Sequence, residues 1–360
     1  MESLVGKKIL VTGHTGFKGA WLSLLLHHLG AKVYGIALAP PTTPSLFSLL
    51  RLDQKIDHAI VDIRSKEEVM NAVDRIEPEI VFHGAAQSNV LQSYEDPIDT
   101  FQVNAMGTLH LLSALHQVES CTAAIIMTTD KCYRFPNSSI NGFSEEAPLG
   151  GNDPYSASKA CAELAVHSYR HSFLKQTDLK IATVRSGNVI GGGDWAKNRI
   201  LPDAIRCLMK NSPLVLRYPH ARRPWIHVLE TLFGYITLAL RIQSQPELQG
   251  AWNFGSTQAD AITVKELASM FYSYFPSAPP IIESMGARHE ETNLILDCRK
   301  AKDQLGFAPF FSADDRLQLI AEWTRAYIQG KSIEEISINQ IRKAFQILTN
   351  AYTFFDSQLL

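Results

Sequence analysis

No stretch of the 360-residue chain is apolar for long enough to cross a bilayer as a helix. Its start, Met1 through Lys7 and Lys8 into a short apolar run, has no charged leader, long apolar core or small-residue cleavage site. A membrane partner is therefore not expected. Charge of one sign is also missing: 34 basic against 36 acidic side chains leave a formal net charge of −2, so no global field draws in nucleic acid. Cysteine is sparse. Cys121, Cys132, Cys161, Cys207 and Cys298 are scattered and odd in number, without the paired spacing of zinc sites or disulfide frameworks. No metal is expected, and a reducing, cytoplasmic compartment fits. There is no internal repeat, low-complexity tract or Gly/Ser linker. What remains, with 46% hydrophobic and 19% charged residues, is an ordinary folded chain long enough for two lobes sharing a cleft.

Short apolar, β-branched runs at 8–12, 32–38, 59–62, 79–83, 122–128 and 181–186 alternate with stretches of helical spacing, among them 20–29, 101–115 and 156–173. That alternation predicts an α/β fold with a Rossmann-type doubly wound parallel sheet. After Gly191-Gly192-Gly193, Pro202, Pro213, Pro219 and Pro224 break the rhythm, so a smaller substrate-binding lobe is expected from there. The expected division is a sheet domain over 1–190, joined by later segments such as the short strand ending at Phe254-Gly255. The second lobe follows over 191–335, then a peripheral C-terminal helix over 336–360.

Gly13-His14-Thr15-Gly16-Phe17-Lys18-Gly19 follows the first strand and opens the first helix. Glycines let the backbone approach a pyrophosphate, and the helix N-terminus offers it free amides and a partial positive charge. Taken alone the pattern is equally a tight turn, and its place in the alternation favours the dinucleotide. The second strand ends in Ala37-Leu38-Ala39-Pro40-Pro41, with neither a ribose-binding carboxylate nor an arginine for a 2′-phosphate, which favours NAD over NADP.

Tyr155-Ser156-Ala157-Ser158-Lys159 sets a tyrosine and a lysine four apart on one helical face. The ammonium is expected to lower the phenol's pKa, so that the tyrosine takes a proton from a hydroxyl. Thr128-Thr129-Asp130-Lys131-Cys132-Tyr133 ends the preceding strand at the edge where ligands bind. On residue types alone, Asp130 is equally a proton donor or a turn carboxylate, and Thr129 equally a hydrogen-bond donor or a helix cap.

The glycine-rich turn, Pro40-Pro41-Thr42, Thr129-Asp130-Lys131-Cys132-Tyr133, Gly187-Asn188-Val189-Ile190-Gly191-Gly192-Gly193-Asp194-Trp195 and Arg223-Pro224-Trp225-Ile226-His227-Val228 together resemble the sugar-nucleotide 4,6-dehydratases of the extended short-chain dehydrogenase/reductase family. The likeness runs along nearly the whole chain, including Ser337-Ile338. Most of that group has Asp-Glu where this chain has Asp130-Lys131, and the lysine is similar to the CDP-glucose branch.

The resemblance implies NAD held by Gly13, Thr15, Gly16, Phe17, Lys18 and Gly19, by Asp62 and Ile63, by Ala85, Ala86, Gln87, Asn104 and Thr128, and by Tyr155 and Lys159. It implies a nucleotide sugar, CDP-glucose, held by Asn188, Arg199, Arg223 and His227. In the implied reaction Tyr155, assisted by Lys159, deprotonates the sugar 4-hydroxyl as hydride leaves C4. The ketone acidifies C5, water leaves across C5 and C6 with Asp130 as acid, and hydride returns to C6. Thr129 bonds the reacting oxygen, while Lys131 is either the C5 base or only a stabiliser of the enolate. A homodimer or tetramer is implied through helices 101–115 and 156–173.

Two segments depart from the family pattern. Gln87-Ser88-Asn89-Val90-Leu91-Gln92-Ser93-Tyr94 loses a basic pair, and Phe135-Pro136-Asn137 with Ser138-Ser139 replaces tryptophans, which leaves sugar and nucleotide identity open. A nucleotide-sugar epimerase or decarboxylase would share Tyr155 and Lys159 without needing Asp130 as an acid. A non-catalytic NAD-binding protein would be free to lose all three.

Overall fold

In the computed structural model, which describes residues 4–136, 142–175, 177–256, 260–284 and 294–351, the apolar runs become the strands Lys8–Thr12 (β1), Lys32–Ala37 (β2), Asp57–Ile60 (β3), Ile80–His83 (β4), Ala123–Met127 (β5) and Lys180–Ser186 (β6). With Gly250–Phe254 they form one seven-stranded parallel sheet, ordered Gly250–Phe254, β6, β5, β4, β1, β2, β3. β4 and β5 are buried at every position, as strands covered by helices on both faces must be. The late strand Gly250–Phe254 pairs in parallel with β6, from Gly250 opposite Ala182 to Phe254 opposite Ser186.

The chain winds outward from β1 to β3, then restarts on the other side of β1 with β4. Connections at the carboxyl ends of β1 and β4 therefore diverge, opening a crevice. One face of the sheet is covered by Phe17–His28 (α1) and Val228–Ser244, through Trp21, Leu25, Leu232 and Ile236. The other is covered by Lys66–Ile76, Gly107–Leu115 and Pro154–Ser172, through Val69, Leu111 and Val166.

The expected helix over 101–115 has three parts: α-helix Pro97–Phe101, a π-helical turn Gln102–Met106 and α-helix Gly107–Leu115. The π turn carries Asn104. The C-terminal helix is not peripheral. It spans Ile333–Ala351 and buries Ile341, Ala344, Phe345 and Leu348 in the main core, with Trp323 Nε1 donating to Ser337 Oγ at 3.1 Å. Its apolar residues recur at three- and four-residue spacing, and that stripe needs an apolar partner. No helix among the described residues is long and apolar enough to cross a membrane.

Candidate active site

The glycine-rich turn lies over the β1/β4 crevice. Gly13 has φ +77°, and a Cβ there would stand 2.6 Å from the Ala85 amide nitrogen in the chain leaving β4. A Cβ on Gly19 would stand 2.1 Å from the Gly13 carbonyl oxygen, so helix and turn close only without side chains. Gly16 caps α1 without any side-chain hydrogen bond, whereas Asn89, Asp153, Thr263 and Ser312 cap their helices with side-chain oxygens. A bare backbone and an uncapped helix N-terminus fit the pyrophosphate of a dinucleotide. Thr15 Oγ1 ties the turn to β2 by donating to the Leu38 carbonyl at 3.0 Å, and half-buried Phe17 packs on the core.

Asp153 opens the Pro154–Ser172 helix, its Oδ1 accepting from the Ser156 amide at 2.9 Å, with Pro154 in the first turn. Tyr155 and Lys159 thus face the carboxyl end of β5, 9% and 5% exposed. Thr129 caps the short turn Asp130–Cys132 by accepting from the Lys131 amide at 3.3 Å, and its hydroxyl also donates to Asp130 Oδ1 at 3.0 Å. Lys131 Nζ approaches the same oxygen at 3.4 Å. Asp130 Oδ2 is buried with no hydrogen-bond partner, and a Cβ on Gly187 would lie 3.0 Å from it. Arg199, 42% exposed, pairs with Asp194 at 2.9 Å and faces Tyr155.

The electrostatics correct one expectation. Burial pushes the Tyr155 phenol up, more than Lys131, Thr129 and Arg199 draw it down. Lys159 Nζ donates to the Met127 carbonyl at 3.2 Å. Burial takes Lys159 itself down to about 8, opposed by the Glu163 carboxylate one helical turn on.

Other named residues are held in place by hydrogen bonds and packing. Asn104 accepts from the Gln87 amide at 2.9 Å and donates to the Gln87 carbonyl and to Ser158 Oγ, which in turn bonds the Tyr155 carbonyl. Gln87 Nε2 donates to Thr100 Oγ1 at 2.9 Å, and its Oε1 accepts from the Asn89 amide. The Ala85 amide donates to Thr12 Oγ1 at 3.1 Å, and Ala86 follows it half-buried. The Thr128 hydroxyl donates to Glu163, not into the crevice. Ile63 is buried against Gly107.

Asp62 at the end of β3 is engaged by Arg64, whose Nε lies 2.9 and 3.1 Å from its two oxygens and holds its pKa below the ordinary value. Asn188 Nδ2 is buried and unpartnered, as a donor awaiting an anionic oxygen would be. Arg223 is buried on the ladder of Arg222–Arg223 with Ile262–Thr263 and donates to the Arg222 carbonyl. His227 caps a helix with one ring nitrogen and leaves the other, Nε2, buried without a hydrogen-bond partner. It is fully buried at the N-terminus of Val228–Ser244, its Nδ1 accepting from the Leu229 amide, its ring against Phe311, and burial with Arg316 takes it down to about 3. Asn137, Ser138 and Ser139 lie outside the described residues.

Residues 9–255 match the model of the NAD dependent epimerase/dehydratase family. The chain belongs to this family. A CDP-glucose 4,6-dehydratase from Salmonella typhimurium is 44% identical over 335 residues, covering 91% of this chain and 93% of that protein. A dTDP-glucose 4,6-dehydratase from Xanthomonas campestris pv. campestris is 25% identical over 346 residues, 89% and 95% of the two chains. Among solved structures, UDP-glucose 4-epimerase from Thermotoga maritima superposes with a TM-score of 0.77 at 20% identity, covering 89% and 99%. DesIV, a dTDP-glucose 4,6-dehydratase from Streptomyces venezuelae solved with NAD bound, gives 0.74 at 20% identity, covering 90% and 98%.

In this family member the sequence reading missed a buried network under the reaction centre. Glu163, four residues after Lys159, pairs with Arg185 of β6 at 2.9 and 2.8 Å and accepts from Thr128 and Thr183. Arg185 also donates to Tyr133 Oη at 2.8 Å, and that hydroxyl donates to Asn253 in the returning strand. An arginine inside an apolar strand run was the available signal.

Proposed function

We propose that the chain dehydrates a nucleotide-linked hexose with NAD, converting CDP-glucose to CDP-4-keto-6-deoxyglucose. The observation that carries this reading is the unpartnered, buried Oδ2 of Asp130, a carboxyl oxygen beside Tyr155 that an epimerase does not need. The 44% identity with a CDP-glucose 4,6-dehydratase supports the nucleotide and the sugar.

Bound along the turn and the carboxyl edge of the sheet, NAD would supply the hydride acceptor for C4 and the hydride donor for C6. Tyr155 takes the proton of the 4-hydroxyl, with Lys131 and Arg199 offsetting the phenolate charge that burial penalises. Thr129, anchored by the turn it caps, holds the oxygen that becomes the ketone. Lys131 accepts the C5 proton or stabilises the enolate, while Asp130 Oδ2 delivers a proton to the departing 6-hydroxyl. Asn188 and Arg199 bind the diphosphate, where a buried amide donor and a guanidinium fork suit phosphate oxygens. Asp62 and Ile63 would hold the adenine end of the dinucleotide.

The protein is further proposed to act in the cytoplasm as a homodimer, through the face carrying Ile98, Met106 and Leu164, which are 71%, 45% and 57% exposed. Replacing Ile98 by arginine is expected to shift the mass in light scattering from dimer to monomer.

The deciding assay supplies CDP-glucose and catalytic NAD, with UDP-, GDP- and dTDP-glucose in parallel. A 4-keto-6-deoxy product from the CDP sugar is the expected result. Product only from another nucleotide would transfer the activity to that substrate, and a 4-epimer would overturn the dehydratase reading.

A further inference from the structure

The hydrogen bonds of the Asp130 carboxylate stay within its own turn. Oδ1 accepts from Thr129 Oγ1 and lies near Lys131 Nζ, and Oδ2 has no hydrogen-bond partner. The acid therefore sits where the backbone of the turn puts it. Both ends of that turn are tied to one buried ion pair. At the strand end the Thr128 hydroxyl donates to Glu163 Oε1, and at the far end Arg185 Nη1 donates to Tyr133 Oη at 2.8 Å. Glu163 and Arg185 close the clamp through bonds of 2.9 and 2.8 Å. Glu163 belongs to the Pro154–Ser172 helix, one turn beyond Lys159 and two beyond Tyr155, so the clamp fixes the acid against the base. Tyr133 is fully buried, its ring stacked on Phe143 at 4.8 Å and its hydroxyl donating to Asn253 Oδ1 at 2.7 Å in the strand that returns to the sheet.

Tyr155 and Lys159 do not depend on this strut. Their helix is capped by Asp153, and Lys159 Nζ is fixed on the Met127 carbonyl. Thr129 keeps an anchor of its own, since the neighbouring Thr128 amide donates to the Val184 carbonyl at 2.9 Å. Removing the Tyr133 hydroxyl would leave these groups in place and loosen only the far side of the turn that carries Asp130. Oxidation at C4 needs the first set of groups, whereas loss of the 6-hydroxyl needs the acid. We propose that Tyr133 is a positioning residue for the elimination step, acting through Asp130 by way of the bond it accepts from Arg185. Its own hydroxyl, buried and committed to Arg185 and Asn253, exchanges no proton with the sugar. This rests on the dehydratase reading above.

Stopped-flow absorbance in a single turnover of CDP-glucose separates the two halves, because reduced dinucleotide appears on oxidation at C4 and disappears when hydride returns to C6. Tyr133→Phe is expected to slow the disappearance about tenfold or more and to leave the appearance within about twofold of wild type, since misplacing a reacting group by about 1 Å costs about 10²-fold. Arg185→Lys keeps the charge beside Glu163 but lacks the fork that also reaches Tyr133, and should show the same split. In an Asp130→Asn background Tyr133→Phe should add little, because the acid it places is already gone. Equal slowing of both phases, an unchanged disappearance in both Tyr133→Phe and Arg185→Lys, or a double variant whose loss is the product of the two single losses would overturn the proposal. A wild-type protein that reduces no dinucleotide with the sugar, or forms no 4-keto-6-deoxy product, would overturn the dehydratase reading beneath it, a distinguishable failure.

Discussion

Replacing Arg185 by methionine would leave the Glu163 carboxylate buried with only two hydroxyl donors, Thr128 and Thr183. Both side chains of the pair are nearly inaccessible, 4% and 3% exposed, and two nitrogens of Arg185 meet the two oxygens of Glu163. Breaking such a pair from one side costs about 3–5 kcal/mol, whereas replacing both partners by apolar groups of similar volume costs far less. Urea unfolding should therefore show Arg185→Met strongly destabilised, with Glu163→Met/Arg185→Met recovering much of the loss. Linkage gives a second signature. The folded Glu163 pKa is lowered, so its contribution is present above the unfolded value, about 4.3, and is lost as pH falls through the folded one. Glu163→Gln should flatten that acid limb. A loss below about 1 kcal/mol in Arg185→Met, or a double variant as damaged as the single one, would refute the reasoning.

Asp130→Asn keeps the turn but removes the acid, so turnover should fall about 10²–10⁴-fold with reduced dinucleotide accumulating in the first cycle, read by absorbance. Lys159 has its folded pKa depressed to about 8, below the unfolded value, so its charge opposes folding at neutral pH and the penalty fades as pH rises from 8 towards the unfolded pKa. Lys159→Met should therefore gain about 2–3 kcal/mol relative to wild type at neutral pH and little near the unfolded pKa, measured by denaturation, while losing activity. Phe345→Ala, which empties a site 4.8 Å from the Phe233 ring, should cost about 3–5 kcal/mol of stability, whereas a peripheral helix would tolerate it.

The parallel sheet was legible because its strands are buried on both faces and read as short apolar runs, and the glycine turn because close backbone approach excludes side chains. Tyr155, Lys159 and the Thr129–Asp130 turn were legible because spacing and strand ends place them. What escaped depends on pairing across the sheet. Glu163 and Arg185 are separated by 22 residues, and nothing local marks their meeting. Lys18 and Ser186 are 168 residues apart, and nothing local marks the hydrogen bond between them. The burial of His227 and its capping of the Val228–Ser244 helix are tertiary facts that the surrounding residues do not announce. The C-terminal helix carried its apolar stripe openly, at Ile333, Ile341, Ala344 and Leu348, and was underestimated for lack of a visible partner.

The central claim is that hydride removed from C4 returns to C6 of the same sugar while water is lost. CDP-glucose deuterated at C4 tests it directly, with the product read by NMR. Deuterium in the C6 methyl group of a 4-keto product is the result expected from the Tyr155, Asp130 and Lys131 arrangement. Deuterium still at C4, in starting material or in its epimer, would contradict the account.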